Sequence, residues 1–132
     1  MILNIEQAKH NVKRYRSITI EEINRYIVAL SINLDNFTDR LKLLDALTGL
    51  CYNTSCRMCK AVNDTCTACV WDLYVSDKSS PRCVNDNYLN IDAANTPEEI
   101  VLGYRERADI LETLIAKAEE SNERENIITT IT

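Results

Sequence analysis

Glycine and proline are scarce in this sequence, with two of each among 132 residues. Sandwiches and barrels built from many short strands need a turn about every 8 to 12 residues, and such turns draw on glycine and proline. This scarcity argues against those folds, while apolar residues make up 45% of the chain. We therefore expect an all-α protein, a small helical bundle.

Catalytic and phosphate-binding signatures are also lacking. The only histidine, His10, lies far in sequence from the cysteines, which disfavours a Cys-His nucleophile pair. The two glycines, Gly49 and Gly103, are too widely separated to form a glycine-rich phosphate loop. We expect a protein that is not an enzyme.

Long apolar runs are absent as well. No stretch approaches the roughly 18 apolar residues of a membrane span, and the first residues lack the apolar run and cleavage pattern of a signal peptide. These absences predict a cytoplasmic protein with no membrane partner. In such a compartment thiols stay reduced, and clustered cysteines bind metal more often than they form disulfides.

Charge is unevenly distributed around a net value of −5, which disfavours general affinity for nucleic acid. Residues 1–60 carry nine Lys or Arg against six Asp or Glu, whereas residues 98–125 carry four against nine. Four basic side chains near the start form either a solvated helix face, the simpler interpretation, or a contact for an acidic partner: Lys9, Lys13, Arg14 and Arg16.

The first 50 residues predict amphipathic helices. Apolar residues recur every three or four positions from about Asn4 to Arg16. Thr19, with a glutamate three residues later, forms a capping box at the start of a second helix. Asp35 or Asn36 caps a third helix, which Gly49 ends.

A longer helix is predicted at the other end of the chain. Thr96 serves as its N-cap, Pro97 occupies the first helical position, and Glu99 completes a capping box. Gly103 weakens this helix by about 1 kcal/mol relative to alanine, and it permits the close approach of another backbone. One apolar stripe follows the helix: Ile100, Tyr104, Ala108, Leu111, Leu114, Ile115 and Ala118. The helices before and after the cysteines are expected to lie antiparallel.

Between these arms lie all the cysteines of the chain: Cys51, Cys56, Cys59, Cys66, Cys69 and Cys83. Two of the spacings are C-x2-C, in which a tight turn directs both sulfurs toward one ion. We predict a structural Zn²⁺ site formed by Cys56, Cys59, Cys66 and Cys69, with Cys51 and Cys83 as alternate ligands. The short segment around Trp71, a helix or a strand, is expected to pack over this site.

Other uses of the six cysteines remain open. They could form disulfides in one of 15 pairings if all six pair. An iron-sulfur cluster is a weaker alternative, because only the C-x4-C-x2-C spacing at Cys51, Cys56 and Cys59 matches part of a ferredoxin motif.

After the second C-x2-C motif come one residue and Trp71, then a later cysteine and a helical C-terminal arm. Over roughly residues 50–118 this arrangement resembles a group of small uncharacterised phage and prophage proteins. The chain departs from that group at Val70, where the group commonly has proline. The resemblance implies a phage origin and a zinc-bound core, and it implies no activity.

These observations predict one domain with four parts: N-terminal helices over 1–50, a Cys-rich knot and loop over 51–95, a long helix over 96–121 and a flexible tail over 122–132. We expect a protein-interaction module that docks through its acidic C-terminal helix or an apolar arm. With a phage origin, the partner is a host protein in the host cytoplasm, such as a defence component that the module inhibits.

Two alternatives remain. The first is a zinc-knuckle regulator that binds nucleic acid through side chains flanking the cysteines: Tyr52, Arg57, Lys60 and Trp71. The second is a structural homo-oligomer, in the simplest case a homodimer, that associates through the stripe from Ile100 to Ala118.

Overall fold

The computed structural model describes residues 1–49, 58, 61–62, 65–74 and 83–131, with side chains to residue 127. Its elements are α1 (Ile5–Ser17), α2 (Ile20–Ala29), α3 (Phe37–Thr48), two short 3-10 helices (Cys66–Ala68 and Val70–Leu73), α4 (Asp86–Ala93) and α5 (Pro97–Ile131). These ranges contain no strand, which confirms the predicted all-α helical bundle with a long C-terminal helix. Within them, no helix combines the length and apolar character needed to cross a membrane.

Side-chain caps begin α2 and α3 where the sequence predicts them. The Thr19 hydroxyl accepts the Glu22 N–H at 3.1 Å, and the Asn36 side chain accepts the Asp39 N–H at 3.0 Å. The Glu22 carboxylate instead binds both terminal nitrogens of Arg14, at 3.0 and 2.8 Å. The capping box at Thr19 is therefore half formed, because the Glu22 carboxylate forms an ion pair with Arg14 of α1 and does not bond back to the Thr19 N–H in the described structure.

The glycine stop of α3 and the Thr96 N-cap of α5 also confirm the sequence prediction, whereas no bond from the Thr96 N–H to the Glu99 carboxylate is found among the described residues. Gly49 has φ = +74°, and its N–H donates to the Asp45 carbonyl at 2.9 Å. This left-handed conformation strains most other residues, so glycine ends the helix efficiently. The Thr96 hydroxyl accepts the Glu99 N–H at 3.2 Å, and α5 begins at Pro97.

Helices α1 and α5 form an antiparallel pair. Arg16, near the end of α1, reaches Asp109 at 2.8 Å, while Ile2, just before α1, bonds to Asn122 at 2.8 Å. Residue numbers therefore rise along α1 as they fall along α5, as expected. The apolar stripe of α5 is buried along this pair. A homo-oligomer that uses the stripe would have to displace the protein's own core.

The long helix extends farther than predicted. The sequence suggested a helix over 96–121 and a flexible tail over 122–132, whereas α5 continues to Ile131. Asn122 accepts the Ile2 N–H and donates to the Ile2 carbonyl, both at 2.8 Å. An ion pair between Glu120 and Arg124, one turn apart, adds local support. The first residues of the chain therefore hold the helix where its apolar periodicity has ended.

Helix α4 was not predicted, because residues 51–95 were assigned as a knot and loop. The Asn85 side chain accepts the Tyr88 N–H at 3.0 Å and starts this helix, which ends at Ala93. It has only eight residues, so its apolar period is too short to recognise in the sequence. Its buried Ile91 packs against α5 at Gly103.

Candidate functional site

Three of the six cysteines lie outside the described residues: Cys51, Cys56 and Cys59. Of the others, Cys66 is exposed, Cys69 is 5% exposed, and Cys83 is half-buried. Among the residues that the structure describes, no three His, Cys, Asp or Glu side chains come together as metal ligands. Only the second half of the predicted ligand set, Cys66 and Cys69, can therefore be placed.

Cys66 and Cys69 lie at the two ends of a tight turn. The Cys69 N–H donates to the Cys66 carbonyl at 3.0 Å, around the 3-10 helix that begins at Cys66. The Leu3 N–H donates to the Ala68 carbonyl at 2.8 Å, so the chain just before α1 lies against this turn. The second C-x2-C motif is thus docked on the N-terminal segment.

The side chain of Asn4 bonds to Met58 and to the second C-x2-C motif. Its amide nitrogen donates to the Met58 carbonyl at 3.0 Å and to the Cys69 sulfur at 3.1 Å, and its oxygen accepts the Val70 N–H at 2.9 Å. Met58 lies between Cys56 and Cys59 in the sequence. Its carbonyl oxygen and the Cys69 sulfur are at most about 6 Å apart, the two bond lengths of 3.0 and 3.1 Å taken together.

This arrangement fits a thiolate site. The sulfur of a neutral thiol is a weak acceptor, whereas metal binding requires the thiolate, and second-shell N–H donors commonly bond to metal ligands. The Asn4 amide supplies such a donor to Cys69 at a buried position, 2% exposed. The soft sulfur donors suit Zn²⁺, which would hold the two motifs together.

A buried arginine of α5, Arg107, also contacts the Cys-rich segment. The guanidinium of Arg107 is 4.3 Å from the centre of the Trp71 ring, and it donates to the Asn87 side chain at 3.2 Å and to the Cys83 carbonyl at 3.1 Å. Its Nε has no acceptor among the described residues, although Arg107 is only 2% exposed. A buried cation needs such partners because the transfer of a charged group from water into the protein interior costs free energy.

Neither Asn4 nor Arg107 was predicted from the sequence as a site residue. Arg107 follows Tyr104 by three positions and precedes Leu111 by four, so a charged residue interrupts the buried face of α5. The sequence therefore contained a signal that Arg107 would be buried. Asn4 carried no comparable signal, because a polar residue at a helix start is ordinary.

Trp71 lies in a short 3-10 helix, one of the two forms predicted, and its packing over the metal site stays a prediction. It is 2% exposed, and its ring contacts the Arg107 guanidinium and the edge-on Tyr74 ring, whose centre is 6.4 Å away. A base would have to displace these neighbours in order to stack on Trp71. Three other residues considered for nucleic-acid contact lie outside the described residues: Tyr52, Arg57 and Lys60.

The basic side chains of α1 are mostly paired within the chain. Arg14 binds Glu22 at 2.8 Å, Arg16 binds Asp109 at 2.8 Å and Glu112 at 2.9 Å, and Lys9 lies 3.8 Å from Glu119. Lys13 has no ion-pair partner among the described residues. The positive face is therefore largely neutralised by α2 and α5, which accounts for the acidic residues on that side of α5.

The side of α5 that faces α4 differs from the side that faces α1, because its acidic residues are not matched by basic ones in the described structure. Leu102 is 66% exposed at a groove of about 380 Å³ between α4 and α5, lined by Asn90, Ala93, Ala94, Glu99, Leu102, Gly103 and Glu106. In the described structure, none of Glu98, Glu99 and Glu106 forms an ion pair with a basic side chain. We call the surface formed by Glu98, Glu99, Leu102 and Glu106 the acidic face.

Comparisons with known proteins do not extend these observations. No family model, no curated protein and no solved structure matches the chain. The resemblance to phage and prophage proteins, the zinc site and the absence of an enzymatic activity all stay predictions.

Proposed function

We propose that this chain is a non-enzymatic protein-interaction module, pinned by a structural Zn²⁺, that binds a basic protein through its acidic face. The observation that carries the proposal is the exposed Leu102 in a groove beside Glu99 and Glu106, which have no ion-pair partner among the described residues, although Glu106 accepts a hydrogen bond from the Asn87 amide at 3.2 Å. An apolar side chain surrounded by like charges offers both an anchor and a preference for a partner of the opposite charge.

The two sides of α5 support this choice of surface. Toward α1, the carboxylates of Asp109 and Glu112 already bind Arg16. Toward α4, the carboxylates of Glu99 and Glu106 have no cation among the described residues and flank Leu102. A Lys- or Arg-rich segment would supply the missing countercharges and cover the leucine.

The zinc part of the proposal is supported by Asn4. Its bonds hold Cys69 close to Met58, the residue that lies between Cys56 and Cys59 in the sequence. The proposed ligands are Cys56, Cys59, Cys66 and Cys69, with Cys51 and Cys83 as alternates. Structural zinc contributes roughly 10 to 16 kcal/mol of apparent binding free energy in small modules, enough to decide whether such a segment folds.

The phage resemblance extends the proposal to the kind of partner. A phage protein with an acidic surface would act in the host cytoplasm on a basic, nucleic-acid-binding host protein, such as a defence component. By covering the site where nucleic acid binds, it would inhibit that protein. The resemblance supports the choice of a host partner, and the carboxylates of the acidic face, which lack basic partners among the described residues, support the choice of a basic one.

Two observations favour protein binding over the alternatives. Trp71 is buried against Arg107, which weakens the argument for a zinc knuckle that stacks on bases. The stripe from Ile100 to Ala118 is buried inside the chain, which weakens the argument for a homo-oligomer formed through it.

Binding can be tested with a matched pair of variants. In the first, Glu99→Gln, Leu102→Ser and Glu106→Gln together remove the anchor and two charges from the acidic face. In the second, Glu120→Gln and Glu123→Gln remove two charges elsewhere on α5. We expect the immobilised wild type and the second variant to retain the same basic host protein at low salt and to release it at high salt.

The first variant should retain none of that protein. Equal retention by both variants, or a retained protein that salt does not release, would contradict the proposed surface. Because Leu102 is largely exposed, circular dichroism should show all three proteins folded.

Zinc is tested by elemental analysis of protein purified without added metal, together with thiol titration before and after denaturation. We expect about one zinc per chain, with site thiols that react only after denaturation or chelation. The absence of both metal and free thiols would indicate disulfides and would overturn the zinc site.

A further inference from the structure

Asn4 is the N-cap residue of α1, yet its side chain does not cap the helix. Asparagine is favoured at this position because its side chain normally accepts a backbone N–H of the first turn, a bond that contributes about 1 kcal/mol. Here only the Asn4 carbonyl bonds to α1, accepting the Ala8 N–H at 2.9 Å. The side chain is directed entirely to the Cys-rich segment.

We infer that Asn4 is a positioning residue of the metal site, which donates a hydrogen bond to the thiolate of metal-bound Cys69 and so couples the start of α1 to metal occupancy. This inference rests on the proposed zinc site. It goes beyond that site by assigning one ligand, Cys69, and by naming the element of the fold that responds to the metal.

The geometry favours a thiolate acceptor. The distance from the Asn4 amide nitrogen to the Cys69 sulfur is 3.1 Å, and both residues are buried. An N–H donor withdraws charge from a thiolate and orients it, as second-shell groups do for metal ligands generally. The same amide donates to the Met58 carbonyl at 3.0 Å, so it also holds the residue that lies between Cys56 and Cys59 in the sequence.

Loss of the metal should loosen the start of the chain. A bound metal would fix the position of the Cys69 sulfur, so its loss frees the sulfur to move away from the Asn4 amide, 3.1 Å away. Two backbone N–H groups are bonded at the same junction: the Leu3 N–H donates to the Ala68 carbonyl at 2.8 Å, and the Val70 N–H donates to the Asn4 side-chain oxygen at 2.9 Å. Metal occupancy thus controls whether the N-terminal segment is docked.

The test compares Asn4→Ser with Asn122→Ser. Asn122 holds the same N-terminal segment through two bonds to Ile2, but among the contacts described it has none with a cysteine. We expect Asn4→Ser to lower zinc affinity roughly 10- to 100-fold in competition with a chelator, as loss of a second-shell partner typically does. It should also shift the sulfur-to-metal charge-transfer band of the Co²⁺-substituted protein.

The control variant should match the wild type in both measurements. If the two variants lose affinity equally and neither shifts the Co²⁺ band, Asn4 is merely structural and the inference is overturned. If the wild type binds no zinc, the zinc site and the inference fail together. If it binds zinc and Asn4→Ser is unchanged, only the inference fails.

A measurement on the wild type keeps the inference testable should Asn4→Ser fail to fold. Hydrogen exchange of the Leu3 and Val70 amides is compared with and without chelator, with the Ile23 amide of α2, bonded to Thr19 at 3.1 Å, as the reference. We expect the first two amides to lose at least roughly tenfold in protection while Ile23 does not, since local opening has its own free energy. Equal loss at all three amides would refute selective release of the N-terminal segment.

Discussion

Gly103→Ala separates the effect of helix propensity from the effect of packing. An alanine Cβ at this position would lie 2.6 Å from Cγ1 of Ile91, well inside van der Waals contact. Cγ1 is the first methylene of a β-branched side chain, and Ile91 is buried, so this atom cannot retreat without rotating the whole side chain. The sequence suggested that Gly103 admits another backbone; the structure places a side chain of α4 there.

The two contributions to the free energy of unfolding have opposite signs. Alanine is about 1 kcal/mol better than glycine in a helix interior. Overpacking a well-packed core costs typically about 1 to 3 kcal/mol. We therefore expect Gly103→Ala to destabilise the protein by about 1 kcal/mol, with a range from about 0 to 2 kcal/mol.

The assay is urea denaturation of a double-mutant cycle with Ile91→Ala, followed by circular dichroism. Truncation of Ile91 removes Cγ1, so Gly103→Ala should then stabilise the protein by about 1 kcal/mol. The coupling between the two positions is expected to be about 2 kcal/mol, within the range for residues in contact. Stabilisation by about 1 kcal/mol in both backgrounds would refute the clash and the close packing of α4 on α5.

Two further predictions concern buried polar groups. Arg107→Lys should lower the free energy of unfolding by at least roughly 1.5 to 3 kcal/mol, the value of one charged hydrogen bond, because an ammonium cannot bond to Asn87 and Cys83 while stacking on Trp71. Fluorescence of Trp71, the only tryptophan, should change with it, and an unchanged urea midpoint and spectrum would contradict the contact. Burial raises the pKa of the Tyr104 hydroxyl, an effect that its bond to Thr48 opposes in part. In the unfolded state tyrosine ionises near pH 10, so this contribution to stability is complete below about pH 10 and is lost as the pH rises above it. Tyr104→Phe should therefore reduce the loss of stability between about pH 10 and 11, and an equal slope in both proteins would argue against it.

Much of the fold could be predicted because helix ends depend on nearby residues. Thr19, Asn36 and Thr96 each cap a backbone N–H three positions later, and Gly49 bonds to a carbonyl four positions earlier. Such bonds are visible in the sequence because both partners lie within one turn. The apolar stripe of α5 was predicted on the same local basis, from a period of three to four residues.

The candidate site could be predicted only in part. The spacing of the cysteines indicates metal chemistry, but it does not show that Asn4 bonds to Cys69, 65 positions away, or to Met58, 54 positions away. The sequence also does not show whether a given glutamate forms an ion pair. Only the fold distinguishes Glu112, which binds Arg16, from Glu106, which flanks an exposed leucine.

By itself, then, the sequence determined the all-α class, the helix starts at Thr19 and Thr96, a third start at Asp35 or Asn36, and the stop at Gly49, since each depends on contacts within one turn of helix. Only the tertiary structure decided the extension of α5 beyond residue 121, the burial of Arg107 and the direction of the Asn4 side chain. The physical reason is distance along the chain. Asn122 is held by Ile2 across 120 residues, and no local pattern encodes which distant groups will meet.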